Sequence, residues 1–325
     1  MANEFKNRVF GAVILKSINS NFNADFTHHP RTLPDGVVYS TDKALKYTVK
    51  DYFRKLYGSE KLFYIKRLNE KLNPLTLDET YESLFDKYPT DSEEIKRKTI
   101  LANLLSCLDV RLFGATFAGK ANISVHGPVQ VNHGVNKYSE NEIYTEDILS
   151  PFRNPGKEGS DEKAMSTIGN QTNLKEGHYV FHFSINPKNT EEFYAMVNKD
   201  KSDNEKLCLS TDDINKLKQA LNNSVTALDS SRKIGTENEA TIWVQLNENS
   251  KKMLPSFTEL ITVKRNNDVI TIDCTNVKSS LDSIFSDIQN IEVYYNPINT
   301  KIVGLDKNEK TKQFNILNND ELQNE

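Results

Sequence analysis

Cysteine is scarce: Cys107, Cys208 and Cys274 are far apart and odd in number. They build neither a disulfide framework nor a zinc site, and they read as reduced thiols of a cytoplasmic protein. No apolar run approaches the ~18–20 residues that cross a bilayer, so no transmembrane helix is expected. The opening, MANEFKNRVFGAVILKSIN, has too short an apolar run and no small-residue cleavage site for a secretory signal. RVFGAVIL reads instead as a first strand. Phosphate-cradling glycine loops are missing, both GxxxxGK(S/T) and GxGxxG. So is the GxSxG of a serine nucleophile, and no local signature marks a Cys–His pair. The histidines find no Cys or carboxylate at ligand spacing. His178 and His182 lie four apart on an expected strand, His28 and His29 lie in a loop beside Pro30, and His126 and His133 flank a Gly-Pro segment. No cofactor, metal or catalytic centre is therefore expected.

What remains is binding surface. With 37% hydrophobic and 26% charged residues, the chain reads as globular, and 325 residues are enough to bury a large core. The net charge of -4 averages over an asymmetry. Residues 6–67 carry twelve Lys/Arg against five Asp/Glu, whereas 139–163 carry seven acidic against three basic residues. Segregation of this kind is what a polyanion-binding face requires.

Along the chain, a strand over 8–16 is followed by a polar loop, SINSNFNADFTHHPRTLPDG, that has no periodicity and ends in turn residues. A helix is expected over 41–57 with Thr41 as its N-cap. A helical zone over 61–88 is broken by Pro74, and a third helix over 92–107 carries Ile95, Leu101, Leu104 and Leu105, its stripe running on to Leu108. The stretch LSCLDVRLFGATFAGKANISVHGPVQVNHG, 105–134, reads as two strands around a small-residue turn, with Asp109 and Arg111 in the first and Gly127, Gln130 and Asn132 in the second. Residues 136–176 have little apolar pattern and form a long excursion. HYVFHFSINP is the next strand, and Thr211 caps a helix with the stripe Ile214, Leu217, Leu221, Val225 and Leu228. Strands follow at ATIWVQL, TELITVKR, DVITIDC and IEVYY, with a hairpin turn at RNND, and residues 306–325 read as a polar tail. Strands and helices mix without regular βαβ alternation, so the fold class is α+β.

In the helix over 41–57, at ~100° per residue, Lys43, Lys46, Tyr47, Lys50, Arg54 and Tyr57 share one arc. Leu45, Val49, Tyr52, Phe53 and Leu56 share the adjoining one. Cations and aromatics in line can neutralise phosphates and stack on bases; the bland alternative is the solvated side of an amphipathic helix. Asp25, in the loop after the first strand, is the one carboxylate expected near this face. It suits either RNA cleavage or, as an Asp among asparagines, a turn.

Four stretches together resemble the seventh family of CRISPR-associated proteins, the repeated backbone of CRISPR surveillance complexes, and most closely its type I-B branch. They are RVFGAVILKSINSN, YSTDKALKYTVKDYF, DVRLFGATF and ISVHGPVQVNHGVN, in the family's order and spacing over residues 8–134. A weaker echo runs through MSTIGNQTNLKEGHYVFHFSINP, and past about residue 230 the likeness fades. The resemblance implies a single domain over 1–325, with an RNA-recognition-motif-like (ferredoxin-type) core sheet elaborated into a hand. Its finger is an insertion over about 58–95 and its thumb one over about 136–176.

The resemblance also implies a non-catalytic subunit. Several head-to-tail copies would bind one guide crRNA and present it to target DNA beside the other Cascade subunits: the small-copy backbone, the large subunit and the repeat-processing nuclease. Type I complexes leave destruction to a recruited nuclease-helicase. Carried over residue by residue, Lys46 matches the helix lysine and Lys50 the next basic position; Tyr47 departs from a basic residue, leaving that contact to Lys43 or Lys50. Arg54 extends the same face. Asn19, Ser20 and Asn21 match the polar loop, Gly127 and Gln130 the Gly-Pro-Val-Gln strand followed by Asn132, and Met165 a wedging thumb methionine, although MST stands here for MGR. Relatives in type III complexes cleave target RNA with a loop Asp, which makes a metal-dependent endoribonuclease using Asp25 the alternative.

Overall fold

The computed structural model describes residues 3–153 and 165–323; the side chains of 151–153 and 165–168 fall outside the described set. In chain order the elements are β1 (Val9–Ser20), β2 (Tyr39–Ser40), α1 (Asp42–Leu56), α2 (Leu77–Phe85), α3 (Glu93–Leu105), α4 (Leu108–Phe113), β3 (Gly114–Ala118), β4 (Asn122–His126), β5 (Val129–Val131), β6 (Gly134–Asn136), β7 (Ile143–Arg153), β8 (Met165–Ile185), α5 (Glu191–Asn198), α6 (Thr211–Asn223), β9 (Thr236–Leu246), β10 (Thr262–Asn266), β11 (Val269–Asp273), α7 (Thr275–Asp282), β12 (Ile288–Tyr295), β13 (Thr300–Val303) and β14 (Thr311–Asn315). Three sheets result. The largest runs β14-β12-β9-β1-β8-β6-β2, with β5 and β7 also paired to β8; β10-β11-β13 and β3-β4 form the smaller ones.

β1 is the axis of the molecule, antiparallel to β8 on one side and to β9 on the other. Its sequence VFGAVIL shows no alternation because both faces are buried. Val9, Val13 and Leu15 join the core beneath α1, α3, α4 and α6, whereas Phe10, Ala12 and Ile14 join a second core shared with β10, β11, β12 and α7. The alternation survives as a choice between two cores rather than between core and water. β8 spans 21 residues, too long for the sheet alone. Its second half pairs with β1, and its first half pairs with β7 in a hairpin that leaves the sheet at Ile143↔Leu174.

Several expectations need correcting. DVRLF is helix, not strand: Asp109 accepts the backbone N–H groups of Phe63 and Tyr64, both at 2.7 Å, and Leu108, Val110 and Leu112 are buried around most of a single turn and a half. A short apolar run cannot be assigned by periodicity alone, and here α4 follows α3 after a break at Cys107, whose backbone is extended. The cap of α6 is Ser210, in a reciprocal capping box with Asp213, and Thr211 is the first helical residue. The zone over 61–76 is not helical; α2 begins after Thr76, whose capping box uses Glu79. Ile95 is half exposed rather than part of the buried stripe of α3. The described part of the expected tail, 306–323, is not free, since β14 runs parallel to β12 at the edge of the main sheet. Within the excursion over 136–176, the described residues pair β7 antiparallel with β8, and the RNND turn holds, with Asn267 left-handed (φ 55°) between β10 and β11.

Candidate nucleic-acid interface

α1 starts as expected. The Thr41 hydroxyl accepts from the Ala44 N–H, and Asn23 Oδ1 accepts from both the N–H and the hydroxyl of Thr41 at 2.9 Å. The loop after β1 is thereby fastened to the first turn of α1. Leu45, Val49 and Phe53 are fully buried, which turns the cationic arc outward.

That arc divides. Tyr57 donates to Gln219 and lies under Lys216, so it belongs to the α6 contact, and Leu56 is exposed rather than buried. Arg54 and Lys55 both reach buried Asp51, at 2.5 and 2.9 Å. The N-terminal half repeats that arrangement and adds one cation. Lys43 and Lys46 share the single carboxylate of Asp42, each at 3.2 Å, and Lys46 Nζ lies 5.6 Å from the centre of the Phe113 ring. Lys50 makes no hydrogen bond or ion pair among the described residues; burial pulls its pKa down, against the attraction of Asp109. Burial pushes the Asp42 carboxyl up, but Lys46 and Lys43 outweigh it and hold it low. Lys43, Lys46, half-exposed Tyr47 and Lys50 therefore form a face with three cations, two of them sharing the largely buried carboxylate of Asp42 and the third drawn toward buried Asp109. His133 completes its rim, accepting weakly from Asp42 N–H at 3.4 Å and packing on Tyr39. Phe113 escaped the sequence reading, and so did the place of Asp42 between two lysines. The Asp42–Lys46 spacing of four was the available signal for the carboxylate; nothing local marks Phe113.

Arg111 is not part of this face. It clasps Asp213 through Nε (3.1 Å) and Nη2 (2.8 Å), reaches Glu60 at 3.3 Å and donates to the Ser106 carbonyl. Its carboxylate partners are Asp213 and Glu60, and not the neighbouring Asp109. Gly127 does admit a close backbone approach, but of the chain itself. A Cβ there would stand 2.1 Å from the Phe113 carbonyl carbon and 2.3 Å from Gly114 N, while Gly114 holds φ +80°. The pair of glycines lets β4 cross the end of α4 beneath Phe113. Gln130 is exposed, its amide donating to the Gly127 carbonyl. Asn132 is turned inward, accepting from His182 N–H (2.7 Å) and donating to Thr258 (3.0 Å). It ties the main sheet to the C-terminal segment, so the sheet surface beside it is covered by protein.

The first strand runs further than expected, so that Asn19 and Ser20 lie at the end of β1 and only Asn21 in the loop; Asn19 is exposed and left-handed (φ 47°), its amide oxygen accepting from Tyr144. Ser20 and Asn21 are buried: Ser20 lies in a hydroxyl cluster with Ser17 and Thr236, and Asn21 donates to the carbonyls of His28 and Thr172. Their side chains shape the loop from within. Asp25 Oδ1 accepts from the Thr27 N–H and hydroxyl, both at 2.8 Å, and from the His29 N–H at 3.0 Å. That is the turn reading. Among the described residues no three His, Cys, Asp or Glu side chains are grouped to hold a metal ion. His178 is buried between Glu239 (2.5 Å) and Glu176 (3.1 Å), and His182 accepts from Phe257 N–H. Met165 opens β8, its side chain outside the described set. No described helix is long and apolar enough to cross a membrane.

A family model for the CRISPR-associated protein Cas7 matches residues 7–288. No curated protein sequence matches. A chain of a solved CRISPR RNA-guided surveillance complex, pre-nicking, is similar over 95% of this chain and 96% of its own, with 12% identity and a TM-score of 0.54. A chain of another CRISPR RNA-guided surveillance complex covers 89% of this chain and 88% of its own, at 12% identity and a TM-score of 0.48. At such identity the first likeness is one of fold. The family match spans most of the sequence, and the chain belongs to the Cas7 family.

Proposed function

We propose that this chain is a non-catalytic backbone subunit of a type I CRISPR surveillance (Cascade) complex. Several head-to-tail copies bind one guide crRNA along its phosphates and present it to target DNA. The observation that carries the reading is the N-terminal half of α1, where Lys43, Lys46 and Lys50 stand with Tyr47 and Phe113 on one face, Lys43 and Lys46 sharing a single carboxylate and Lys50 closing no ion pair among the described residues. Phosphate binding needs cations whose charge is not already used. The strand order β9-β1-β8-β6, with α1 and α6 packed on one face, supports a ferredoxin-type, RNA-recognition-motif-like core. The β7–β8 hairpin supports a thumb that reaches a neighbouring copy, with Met165 in it. Assignment to the I-B branch rests on the four quoted motifs.

In this reading Lys43, Lys46 and Lys50 contact phosphates, Asn19 and Gln130 offer polar groups at the margins, and Ser20, Asn21, Gly127 and Asn132 shape the surroundings. Purification from cells expressing the neighbouring genes, followed by sequencing of the bound RNA, tests it. Repeat-derived RNAs of uniform length with several copies of this chain are expected. Heterogeneous cellular RNA would reduce the chain to a general RNA binder, and absence of RNA would overturn the reading.

A further inference from the structure

The loop after β1 holds an aromatic side chain out in water. Phe26 is 97% exposed, and the loop beneath it is firmly built. Asp25 Oδ1 takes three hydrogen bonds from Thr27 and His29, Asp25 N–H donates to the His29 carbonyl at 2.8 Å, and Ala24 bridges to Pro30 and Thr32 to Val38. Below, Asn21 donates to the His28 carbonyl, and Asn23 ties the loop to the N-cap of α1. A loop of this order that serves only as a connection has no reason to place its largest apolar group at the tip. Exposure of the ring costs hydration free energy, which internal hydrogen bonds sustain rather than relieve.

We propose that Phe26 is a stacking platform for one unpaired base of the nucleic acid that runs along α1. The inference rests on the guide-binding reading above. One aromatic ring among polar neighbours fits a base better than a protein pocket. Thr27, His28 and His29 around it are exposed and polar, so the tip offers a single ring and not the ~1,000 Å² or more that a stable protein interface buries. Every base presents a π-face to such a ring, whatever its identity. The one carboxylate at the tip, Asp25, has an oxygen saturated by protein donors, which lowers its repulsion toward a phosphate chain. The Asn23–Thr41 link places the tip on the same rigid unit as Lys43 and Lys46.

The sequence contains one tryptophan, Trp243, and it is fully buried. Phe26→Trp therefore adds an exposed indole as a reporter over a buried background. The full-length variant is titrated first with single-stranded RNA and then with complementary DNA. Quenching of the introduced indole's emission on RNA assigns the stacked base to the guide; quenching only on DNA assigns it to the target strand; either supports the proposal. Phe26→Ala is expected to weaken binding roughly tenfold with the salt slope unchanged, because no charge is removed. Binding with the indole emission unaltered in both arms overturns the stacking and leaves the backbone reading standing. A blue shift on concentrating the protein alone places the tip between copies, and likewise overturns it. Failure of the parent chain to bind either strand overturns the backbone reading, and this proposal with it.

Discussion

The two faces of the central sheet are both covered, yet by different chemistry. On the helix side, polar groups are organised around backbone and solvent. Asp109 holds the 63–64 segment, Arg111 and Asp213 lock α4 to α6, and beyond them the lysines of α1 remain turned outward. On the other side, Asn132 and His182 are used up in the contact with the C-terminal segment, and His178 is held between Glu239 and Glu176 of the sheet itself. A half-open sheet of this type would offer its bare face to a ligand. Here that face is closed, so any polyanion must be met at the rim, where α1 begins.

The contrast is sharpest in the cations, and Arg111→Met tests it with the largest expected effect. Removing the guanidinium leaves Asp213, itself 2% exposed, without its ionic partner. Loss of one member of a buried pair costs about 3–5 kcal/mol, read as a lower urea midpoint with unchanged m-value. The salt slope of nucleic-acid binding should stay as it was. A reduced slope would mean that Arg111 faces phosphate after all.

Lys46→Ala with Lys50→Ala should do the opposite. The Asp42–Lys46 pair is mostly buried, so some stability should be lost, but Lys50 closes no ion pair among the described residues and the buried arc of α1 is untouched, so the fold should persist. Affinity should fall evenly across RNA sequences, and the log–log salt slope should drop by roughly one to two units. Unchanged affinity and slope would return the helix to an ordinary solvated face.

The same contrast explains what was legible in the sequence. The helix over 41–57, its Thr41 cap and its apolar arc could be read because local periodicity and capping chemistry decide them. The strands also emerged, since β-rich apolar runs between turn residues have few alternatives. What stayed hidden were long-range partnerships. Nothing near Arg111 in sequence announces Asp213, and nothing near Gly127 announces Phe113. The excess of positive charge over 6–67 was equally uninformative about which cations are free. Arg54 and Lys46 each have a carboxylate one helical turn away, Asp51 and Asp42, and what sets Lys50 apart is only that it closes no such pair among the described residues.

On the covered face, two histidines four residues apart on β8 should titrate in opposite senses. Burial opposes charging His178, but Glu239 and Glu176 outweigh it and raise its pKa above the ordinary 6.5. The stabilisation it provides is complete below that ordinary value and is lost as pH rises through the raised one. Burial lowers His182 to about 4, so the unfolded chain takes up its proton first. Stability should therefore fall as pH drops from about 6.5 toward 4. Urea midpoints of His178→Gln and His182→Gln against pH separate the two: the first should flatten the alkaline arm and the second part of the acid arm. If both variants track the parent, neither ring is confined as described.

The smallest effect is expected at the rim, from Asp25→Ala. Hydrogen bonds from Thr27 and His29 hold the Asp25 carboxyl below its usual range, so its contribution is present above the ordinary carboxylate pKa and is lost as pH falls through the lowered one. The side chain is spent on a turn. Its removal should loosen residues 25–29, seen as faster amide exchange there, with global stability nearly unchanged. Because that turn carries Phe26, base stacking should weaken less than in Phe26→Ala but in the same direction. With Mg²⁺ or Mn²⁺ present, guide-length RNA should stay intact with parent and variant alike. Metal-dependent cleavage by the parent that disappears in Asp25→Ala, with RNA binding retained, would show that the turn frees its carboxylate for chemistry. The rim would then be a catalytic edge and not only a binding one.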